Sequence, residues 1–251
     1  MSWNITQQQR EHVGLDGVIF DLDGVLVTTD HFHFKAWRRL AEELGMEHTE
    51  ENNHQLRGIS RVESLKIIYR NNNRELPPRE EFEAQMTRKN GYYKDYISEM
   101  TPDDVLPGSL ELLNALRDAG IKIATASSSK NAGLVLERTR LIDYMDAVAD
   151  GTAITKSKPD RQVFQLAALR LHCMPWNCIG VEDAVAGVES IQRAGMIAVG
   201  IGEQGKEAEL VIDSVQDLSR EKLHDLYNST PNRRTAEAEA AFDTVKEELG
   251  E

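Results

Sequence analysis

VIFDLDG, residues 18–24, is the stretch of sequence that decides the fold. Its first three residues are apolar and mostly β-branched, which is typical of a strand buried inside a parallel sheet. Asp21, Asp23 and Gly24 end this run with two carboxylates and a turn residue. Because ligands of open α/β sheets bind beyond the carboxyl ends of the strands, the two carboxylates are candidates for a functional site.

Strand and helix patterns alternate in the second half of the chain, from Leu106 onward. Further strands are predicted at residues 121–126, 146–150, 178–183, 196–202 and 210–215. Strands that alternate with helices predict a parallel α/β sheet with right-handed crossovers. The strand at residues 18–20 would join this sheet, so the predicted core comprises residues 1–30 and 106–251.

Residues 31–105 show helical patterns and no convincing strand, which predicts an all-helical insert after the first strand. In the first helix, apolar residues at helical spacing predict one buried face: Phe34, Trp37, Leu40, Ala41 and Leu44. Gly45 predicts the end of that helix. The predicted fold class is therefore α/β, a Rossmann-like parallel sheet with an inserted helical domain.

A second acidic pair, Glu182 and Asp183, ends the predicted strand at residues 178–183. Asp21 and Asp23 are two residues apart, so on an extended segment both side chains point to one side, where they repel unless a cation intervenes. Hard oxygen ligands at this density suit Mg²⁺. The first pair alone could be a solvated turn, but the second acidic strand end favours a metal site.

Hydroxyl and cationic groups also follow predicted strands. Ser127 opens a run of three serines, and Lys158 precedes a proline. A phosphoryl group in transfer spreads negative charge over three oxygens, which Mg²⁺, Lys158 and Ser127 could meet together. From the residues alone, a surface lysine and a polar loop that caps a helix stay open as alternatives.

Four motifs resemble those of the haloacid dehalogenase-like phosphotransferases in order and approximate spacing: DLDGVL, the TASSS strand end, Lys158-Pro159 and VEDAVAG. The resemblance covers the α/β core and implies a core of the haloacid dehalogenase type, with the helical insert as that superfamily's cap. A narrower similarity to the β-phosphoglucomutase family is carried by FDLDGVLVTTDHFHFKAWRRLAEELGM, NHQLRGISRVESL, RKNGYY, IATASSSKNA and SKP. It implies interconversion of β-glucose 1-phosphate and glucose 6-phosphate through an aspartyl phosphate, with one Mg²⁺ and with β-glucose 1,6-bisphosphate as primer and intermediate.

The resemblance also implies catalytic roles, position by position. Asp21 would be the nucleophile and Asp23 the general acid–base. Asp21, the backbone carbonyl of Asp23 and Asp183 would hold magnesium, with Glu182 in support. Ser127 and Lys158 would bind the transferring phosphoryl group. Thr29 would lie in the hinge between the core and the cap.

The same resemblance implies a substrate-binding set. His33 and Lys89 would couple closure of the cap to the placement of Asp23, and Arg61 would bind the phosphate that is not reacting. Further residues implied to contact substrate are Trp37, Arg57, Gly58, Ser60, Ser64, Ser128, Ser129, Lys130 and Asn131.

Two features depart from the family pattern. Ser128 stands where a small apolar residue is expected, and little effect is expected from it. The charged tail from about Thr230 lies outside the resemblance and predicts a solvated helix or a frayed extension.

Composition limits the possible partners. With 29 basic and 42 acidic residues and a formal charge of −13, the chain is poorly suited to general binding of nucleic acid or anionic membranes. Cys173 and Cys178 form no disulfide framework and are expected to be partly buried free thiols. Neither a membrane-spanning run nor a signal-peptide pattern is present, so a cytoplasmic protein is expected. A monomer is the default expectation, and the resemblance implies a small sugar phosphate as the ligand.

Two alternatives stay open on the sequence. A sugar-phosphate phosphatase of the same superfamily would share the core residues but let water attack the acyl phosphate. A non-catalytic phosphosugar-binding regulator would be expected to lack a carboxylate among Asp21, Asp23 and Asp183, and all three are present. The identity of the sugar is likewise open.

Overall fold

A computed structural model of the chain describes residues 14–56, 60–231 and 233–250. The chain divides into two compact units. One unit is Thr29–Met100, and the other joins the chain up to Thr28 to the chain from Thr101 onward. The sequence predicted an insert at residues 31–105, and the assignment of that insert as a cap stays a prediction.

The larger unit is built on six parallel strands in the spatial order β3-β2-β1-β4-β5-β6. The strands are β1 (Gly17–Phe20), β2 (Lys122–Ala126), β3 (Ala147–Ala149), β4 (Cys178–Glu182), β5 (Ile197–Ile201) and β6 (Leu210–Ile212). All four residues of β1 are buried, because the strand has neighbours on both edges and helices cover the sheet. The predicted parallel α/β sheet is confirmed.

The smaller unit is helical in its described residues. Its α-helices are α1 (Asp30–Glu43), α2 (Glu50–Asn53), α3 (Arg61–Asn71) and α4 (Arg79–Ile97), with a 3₁₀ turn at His54–Leu56. Helices α1 and α4 pack along each other. A separate hydrophobic cluster, which includes Trp37, Leu40, Leu65 and Ile68, holds this unit together.

The buried face of α1 differs in part from the predicted one. Its buried residues are Phe32, Ala36, Trp37, Leu40 and Ala41. Phe34 and Leu44 are only half-buried, since Phe34 lies at the edge of the face and Leu44 follows the last helical residue. Gly45 has a φ of 65°, the left-handed conformation that commonly ends a helix, as predicted.

The helices of the larger unit are α5 (Ser109–Asp118), α6 (Ala132–Arg138), α7 (Gln162–Leu171), α8 (Val185–Arg193), α9 (Arg220–Ser229) and α10 (Ala236–Leu249). Short 3₁₀ turns lie at Pro102–Asp104, Leu141–Tyr144, Pro175–Asn177, Glu203–Gly205 and Val215–Asp217. None of the helices in the described ranges is both long and apolar enough to cross a membrane. Cys173 and Cys178 are free thiols, as predicted, and both are buried.

The charged tail forms α10, so the predicted helix is present, but it is not frayed and one of its faces is packed rather than solvated. Phe242 is 0% exposed and belongs to the main hydrophobic cluster of the larger unit. Val245 on the next turn is 2% exposed. The tail is held because its apolar side chains cover the outer side of α7, against which α10 packs.

The register of the sheet brings the polar strand ends together. Phe20 pairs with Thr125 of β2 and with Val181 of β4. Asp21, the next residue, therefore lies level with Ala126 and Glu182 at the carboxyl edge of the sheet. This edge is where ligands of open α/β sheets bind.

Candidate active site

Three carboxylates meet at the carboxyl ends of β1 and β4. Asp21, Glu182 and Asp183 each offer an oxygen, and these oxygens lie within 4.8 Å of one another. The backbone N–H of Asp21 donates to the carbonyl of Val181 at 2.9 Å, so strand pairing continues up to the first carboxylate. The sheet itself therefore fixes the spacing of the acidic cluster.

Lys158 is the cation of this cluster. It comes from the loop between β3 and α7, and its Nζ pairs with Asp21 Oδ1 and, at 2.9 Å, with Glu182 Oε2. Burial by itself would lower the pKa of Lys158, but the charges of Asp21 and Glu182 outweigh burial and raise its pKa above the ordinary value. Lys158 is therefore held as a cation at neutral pH.

One ammonium group does not balance this much negative charge. Burial, followed by the charge of Asp21, raises the pKa of Glu182. Burial and the charges of Asp21 and Asp23 raise the pKa of Asp183 to about 7. A surplus of buried negative charge on hard oxygen donors fits Mg²⁺, which Asp21, Asp183 and Glu182 could hold.

Asp23 lies at a tight turn beside the cluster. It is half-buried, and the backbone N–H of Gly24 donates to the carbonyl of Val27 at 2.7 Å, which closes the turn. The charge of Asp23 contributes to the raised pKa of Asp183, so the two carboxylates are electrostatic neighbours. The structure thus brings together both predicted acidic pairs and Lys158.

Two glycines make room for the acidic side chains, whereas the sequence analysis assigned Gly24 only a turn and Gly187 no role. A Cβ on Gly24 would overlap the carboxylate of Asp183, and a Cβ on Gly187 would overlap the carboxylate of Glu182. Gly24 also has a φ of 87°, which L side chains rarely adopt. The available signal was the presence of a glycine within each acidic motif.

The serine run forms a compact loop after β2. The N–H of Ser127 donates to the carbonyl of Ala149 in β3 at 2.9 Å, and its buried hydroxyl accepts from the N–H of Ser129 at 3.2 Å. The Ser129 hydroxyl in turn accepts from the N–H of Asn131 at 3.1 Å, just before α6. The hydroxyls therefore order the loop itself, while the side chains of Ser128 and Lys130 are exposed.

A second polar group lies in the helical unit, around Lys89. Lys89 is 2% exposed, and its Nζ is hydrogen-bonded to His33 Nδ1 at 2.7 Å. The same Nζ lies 4.7 Å from the ring centroid of Trp37 and 4.9 Å from that of Tyr93. Burial and the charge of Arg61 lower the pKa of Lys89 to about 7.

Two further polar contacts of the helical unit involve residues that sequence reasoning missed. Tyr93 donates its hydroxyl hydrogen to Thr29 Oγ1 at 3.1 Å, directly before α1. Arg61 donates from Nη2 to Asn90 Oδ1 at 2.9 Å. Tyr93 and Asn90 both lie in the RKNGYY segment, and their nearness to Lys89 in the sequence was the only signal.

The remaining substrate residues predicted for this unit flank the start of α3. The Ser60 hydroxyl accepts from the N–H of Glu63 at 3.3 Å, and the Ser64 hydroxyl donates to the carbonyl of Ser60 at 3.1 Å. Both hydroxyls therefore stabilise the helix start. Arg57 and Gly58 lie outside the described residues.

Comparison with known proteins agrees with this geometry. A family model described as haloacid dehalogenase-like hydrolase matches residues 15–195. The β-phosphoglucomutase of Bacillus subtilis (strain 168) is 43% identical over 215 residues, which are 84% of this chain and 95% of the relative. A phosphorylated carbohydrates phosphatase of Thermotoga maritima is 32% identical over 185 residues, 72% of this chain and 82% of the relative.

A solved structure supports the same assignment. The crystal structure of a β-phosphoglucomutase from Clostridium difficile superposes with a TM-score of 0.77 at 40% identity, covering 85% of this chain and 97% of that one. Sequence and fold therefore agree over most of the length of both proteins. The chain belongs to the haloacid dehalogenase-like hydrolase family and, within it, to the β-phosphoglucomutases.

Proposed function

We propose that the chain is a phosphomutase that interconverts β-glucose 1-phosphate and glucose 6-phosphate through a phosphorylated Asp21 and β-glucose 1,6-bisphosphate. One observation carries the proposal: Asp21 lies within a buried acidic cluster and is paired with Lys158. This arrangement supplies a carboxylate nucleophile and a permanent positive charge at the same place. Family membership narrows the substrate class to phosphorylated sugars.

Asp21 would attack phosphorus in line. A bond forms between a carboxylate oxygen and phosphorus while the bond from phosphorus to the sugar oxygen breaks. Asp23 would give its proton to the departing sugar oxygen and, in the second half of the reaction, take a proton from the incoming hydroxyl. Lys158 and Ser127 would bind the transferring group, whose negative charge Lys158 offsets because it stays protonated.

A magnesium ion fits the acidic cluster. Asp21, Asp183 and the backbone carbonyl of Asp23 would hold it, with Glu182 in support. When bound, Mg²⁺ supplies positive charge that offsets the repulsion between an anionic nucleophile and an anionic phosphate. Removal of the ion by a chelator should therefore abolish turnover and leave the surplus negative charge of the cluster uncompensated.

A mutase must also bind the phosphate that is not reacting, since the bisphosphate has two phosphate groups. The helical unit offers buried Lys89, which has no carboxylate partner in the described part of the chain, and Arg61. The core offers the loop with Ser129, Lys130 and Asn131. We propose that each unit, taken by itself, offers phosphate-binding groups for this purpose, since a guanidinium forms paired hydrogen bonds with phosphate and a lysine acts as a point charge.

The product decides between a mutase and a phosphatase, because both would use Asp21. The enzyme is supplied with β-glucose 1-phosphate, Mg²⁺ and a trace of glucose 1,6-bisphosphate, and both glucose 6-phosphate and free phosphate are measured. The proposal expects glucose 6-phosphate in large excess and a strong dependence on the primer. Release of free phosphate as the main product would instead support a sugar-phosphate phosphatase.

A matched pair of variants tests the nucleophile. Asp21→Asn keeps the size of the side chain and removes the nucleophilic oxygen, so turnover should fall to background. Asp118→Asn alters an exposed carboxylate at the end of α5 and should leave turnover unchanged. Normal turnover in Asp21→Asn would refute the assignment of the nucleophile.

A further inference from the structure

Helix α7 is buried on almost every side, which is unusual for a helix that packs on one face of a sheet. Nine of its ten residues are buried, the exception being Arg170. One side of α7 packs on β1, β2 and β3, and its opposite side is covered by α10. A helix that is mostly apolar and buried on almost every side requires a second cover, and α10 supplies it.

Phe242 is the centre of this cover. It is 0% exposed and shares one hydrophobic cluster with Phe164 of α7 and with Trp176. Ala153 and Ile154, in the loop that leads to Lys158, pack against the same cluster. The tail helix and the loop before Lys158 therefore rest on a common apolar support.

The first turn of α7 holds the loop that carries Lys158. Gln162 Oε1 accepts from the backbone N–H of Thr155 at 2.7 Å and from that of Lys156 at 2.9 Å. The Phe164 ring centroid lies 5.0 Å from Lys158 Nζ. Any displacement of α7 would thus move the backbone and the apolar support of Lys158 together.

The tail also contacts this loop directly. Lys156, two residues before Lys158, pairs with the two carboxylate oxygens of Glu248 in the last turn of α10 at 3.1 and 3.2 Å. Both side chains are about half exposed, at 51% and 40%, so the pair is a modest addition to the apolar packing.

We propose that α10 is a brace that positions the Lys158 loop, with Phe242 as the main positioning residue and Glu248 as a minor one. The effect on turnover rests on the proposed function, because it assumes that Lys158 binds the transferring phosphoryl group. The brace acts through α7 and its contacts with Thr155 and Lys156, so it would alter how Lys158 is presented without contacting substrate.

The test compares Phe242→Ala with Leu223→Ala. Leu223 is also 0% exposed, but it lies on α9, which packs against α5. Both variants create a cavity in the larger unit and should lower the melting temperature. Hydrogen exchange at residues 153–158 and steady-state kinetics are measured well below both melting temperatures, with Mg²⁺ present.

For Phe242→Ala we expect exchange at residues 153–158 to rise about ten-fold and kcat to fall about ten-fold, with a smaller change in KM, since Lys158 acts mainly in the transition state. Leu223→Ala should change each quantity less than about two-fold. Unchanged exchange in Phe242→Ala, or equal changes in the two variants, would overturn the proposal. If the wild-type enzyme lacks mutase activity but Phe242→Ala still raises exchange at residues 153–158, the brace is supported and only the proposed function is rejected.

A charge exchange tests the minor contact. Lys156→Glu and Glu248→Lys, each made alone, should raise exchange in this loop about two-fold, and the double variant should restore it, because the ion pair is re-formed in reverse. Failure of the double variant to restore exchange would remove Glu248 from the brace.

Discussion

Two largely buried lysines, one in each unit, differ in how their pKa values shift. Lys158 is 11% exposed in its side chain and pairs with two carboxylates, which raise its pKa above the ordinary value. Lys89 is 2% exposed and contacts a histidine and aromatic rings, and its pKa falls to about 7. Burial favours the neutral amine in both cases, so the partners decide the charge state.

The difference has a functional meaning. Lys158 already has anionic partners and stays charged, which suits a group that must offset the charge of a phosphoryl group in transfer. Lys89 lacks such a partner among the described residues, so it would gain its full charge when an anion such as a substrate phosphate binds nearby. The core thus presents a site with surplus negative charge that needs a further cation, whereas the helical unit presents a cationic group that needs an anion.

The largest expected effect comes from Lys158→Met. Removal of the Lys158 ammonium from the acidic cluster should lower kcat about 10²- to 10³-fold, because the transferring group loses a fixed positive charge. It should also destabilise the metal-free protein by about 3–5 kcal/mol, since the buried carboxylates lose their partner. Urea unfolding in the presence of a chelator measures the second effect, and Lys206→Met, at an exposed lysine, is the control. An unchanged free energy of unfolding would mean that the carboxylates do not depend on Lys158.

Gly187→Ala tests the steric side of the core site. Its Cβ would overlap the Glu182 carboxylate and displace it, so we expect a loss of about 10- to 100-fold in apparent Mg²⁺ affinity or turnover. Gly133→Ala is a matched control, because this glycine also lies in a helix and its added Cβ would meet nothing within 4 Å. The control should keep full activity and gain about 0.5–1 kcal/mol of stability. Similar activity in both variants would show that the Glu182 carboxylate can be displaced without loss of Mg²⁺ affinity or turnover.

Lys89→Met tests the helical unit and should change stability in the opposite direction from Lys158→Met. The pKa of Lys89 is lowered from 10.5 to about 7, so between these values the unfolded chain binds more protons than the folded one. Stability contributed by this group therefore rises with pH, by up to about 1.4 kcal/mol per pH unit. The variant should be more stable than the wild type at pH 7, and the gap should narrow toward pH 10.

Urea unfolding at several pH values measures this gap. A variant that is less stable than the wild type by the same amount at every pH would mean that Lys89 is charged and favourably paired in the folded protein. Turnover should fall in either case, because the proposed site for the second phosphate loses a cation.

The sequence predicted the order of strands and helices and the acidic strand ends, since both are local patterns. Asp21 and Glu182 could be assigned to one edge because parallel strands align their carboxyl ends. The close approach of Gly187 to the Glu182 carboxylate could not be predicted, because it depends on the distance between α8 and the end of β4. Long-range packing distances of this kind leave no periodic signal.

Burial of the tail was missed for a related reason. The alternating charges of α10 suggested a solvated helix, yet the decisive feature is the apolar sequence of α7, QVFQLAALRL, which is too hydrophobic for a helix with a solvent face. The lowered pKa of Lys89 was likewise invisible, because it arises from rings and a histidine that the fold brings together.

The smallest expected effect comes from Tyr93→Phe. This variant tests whether the Tyr93 hydroxyl contributes to the lowered pKa of Lys89. The change removes the hydrogen bond to Thr29 but keeps the ring that stacks on His33 at 4.0 Å. Stability should fall by about 1 kcal/mol, as expected for one buried hydrogen bond.

Tyr69→Phe is the matched control for Tyr93→Phe, because Tyr69 donates to Gln85 at 2.9 Å within the same unit and should show a similar loss. In both variants the dependence of stability on pH should stay as in the wild type, since burial and Arg61 lower the pKa of Lys89 and the Tyr93 hydroxyl does not take part. If Tyr93→Phe removed this dependence while Tyr69→Phe kept it, the contrast between the two lysines would rest on one hydroxyl group. Burial would then no longer explain why Lys89, which has no carboxylate partner among the described residues, is close to neutrality while Lys158 in the core stays charged.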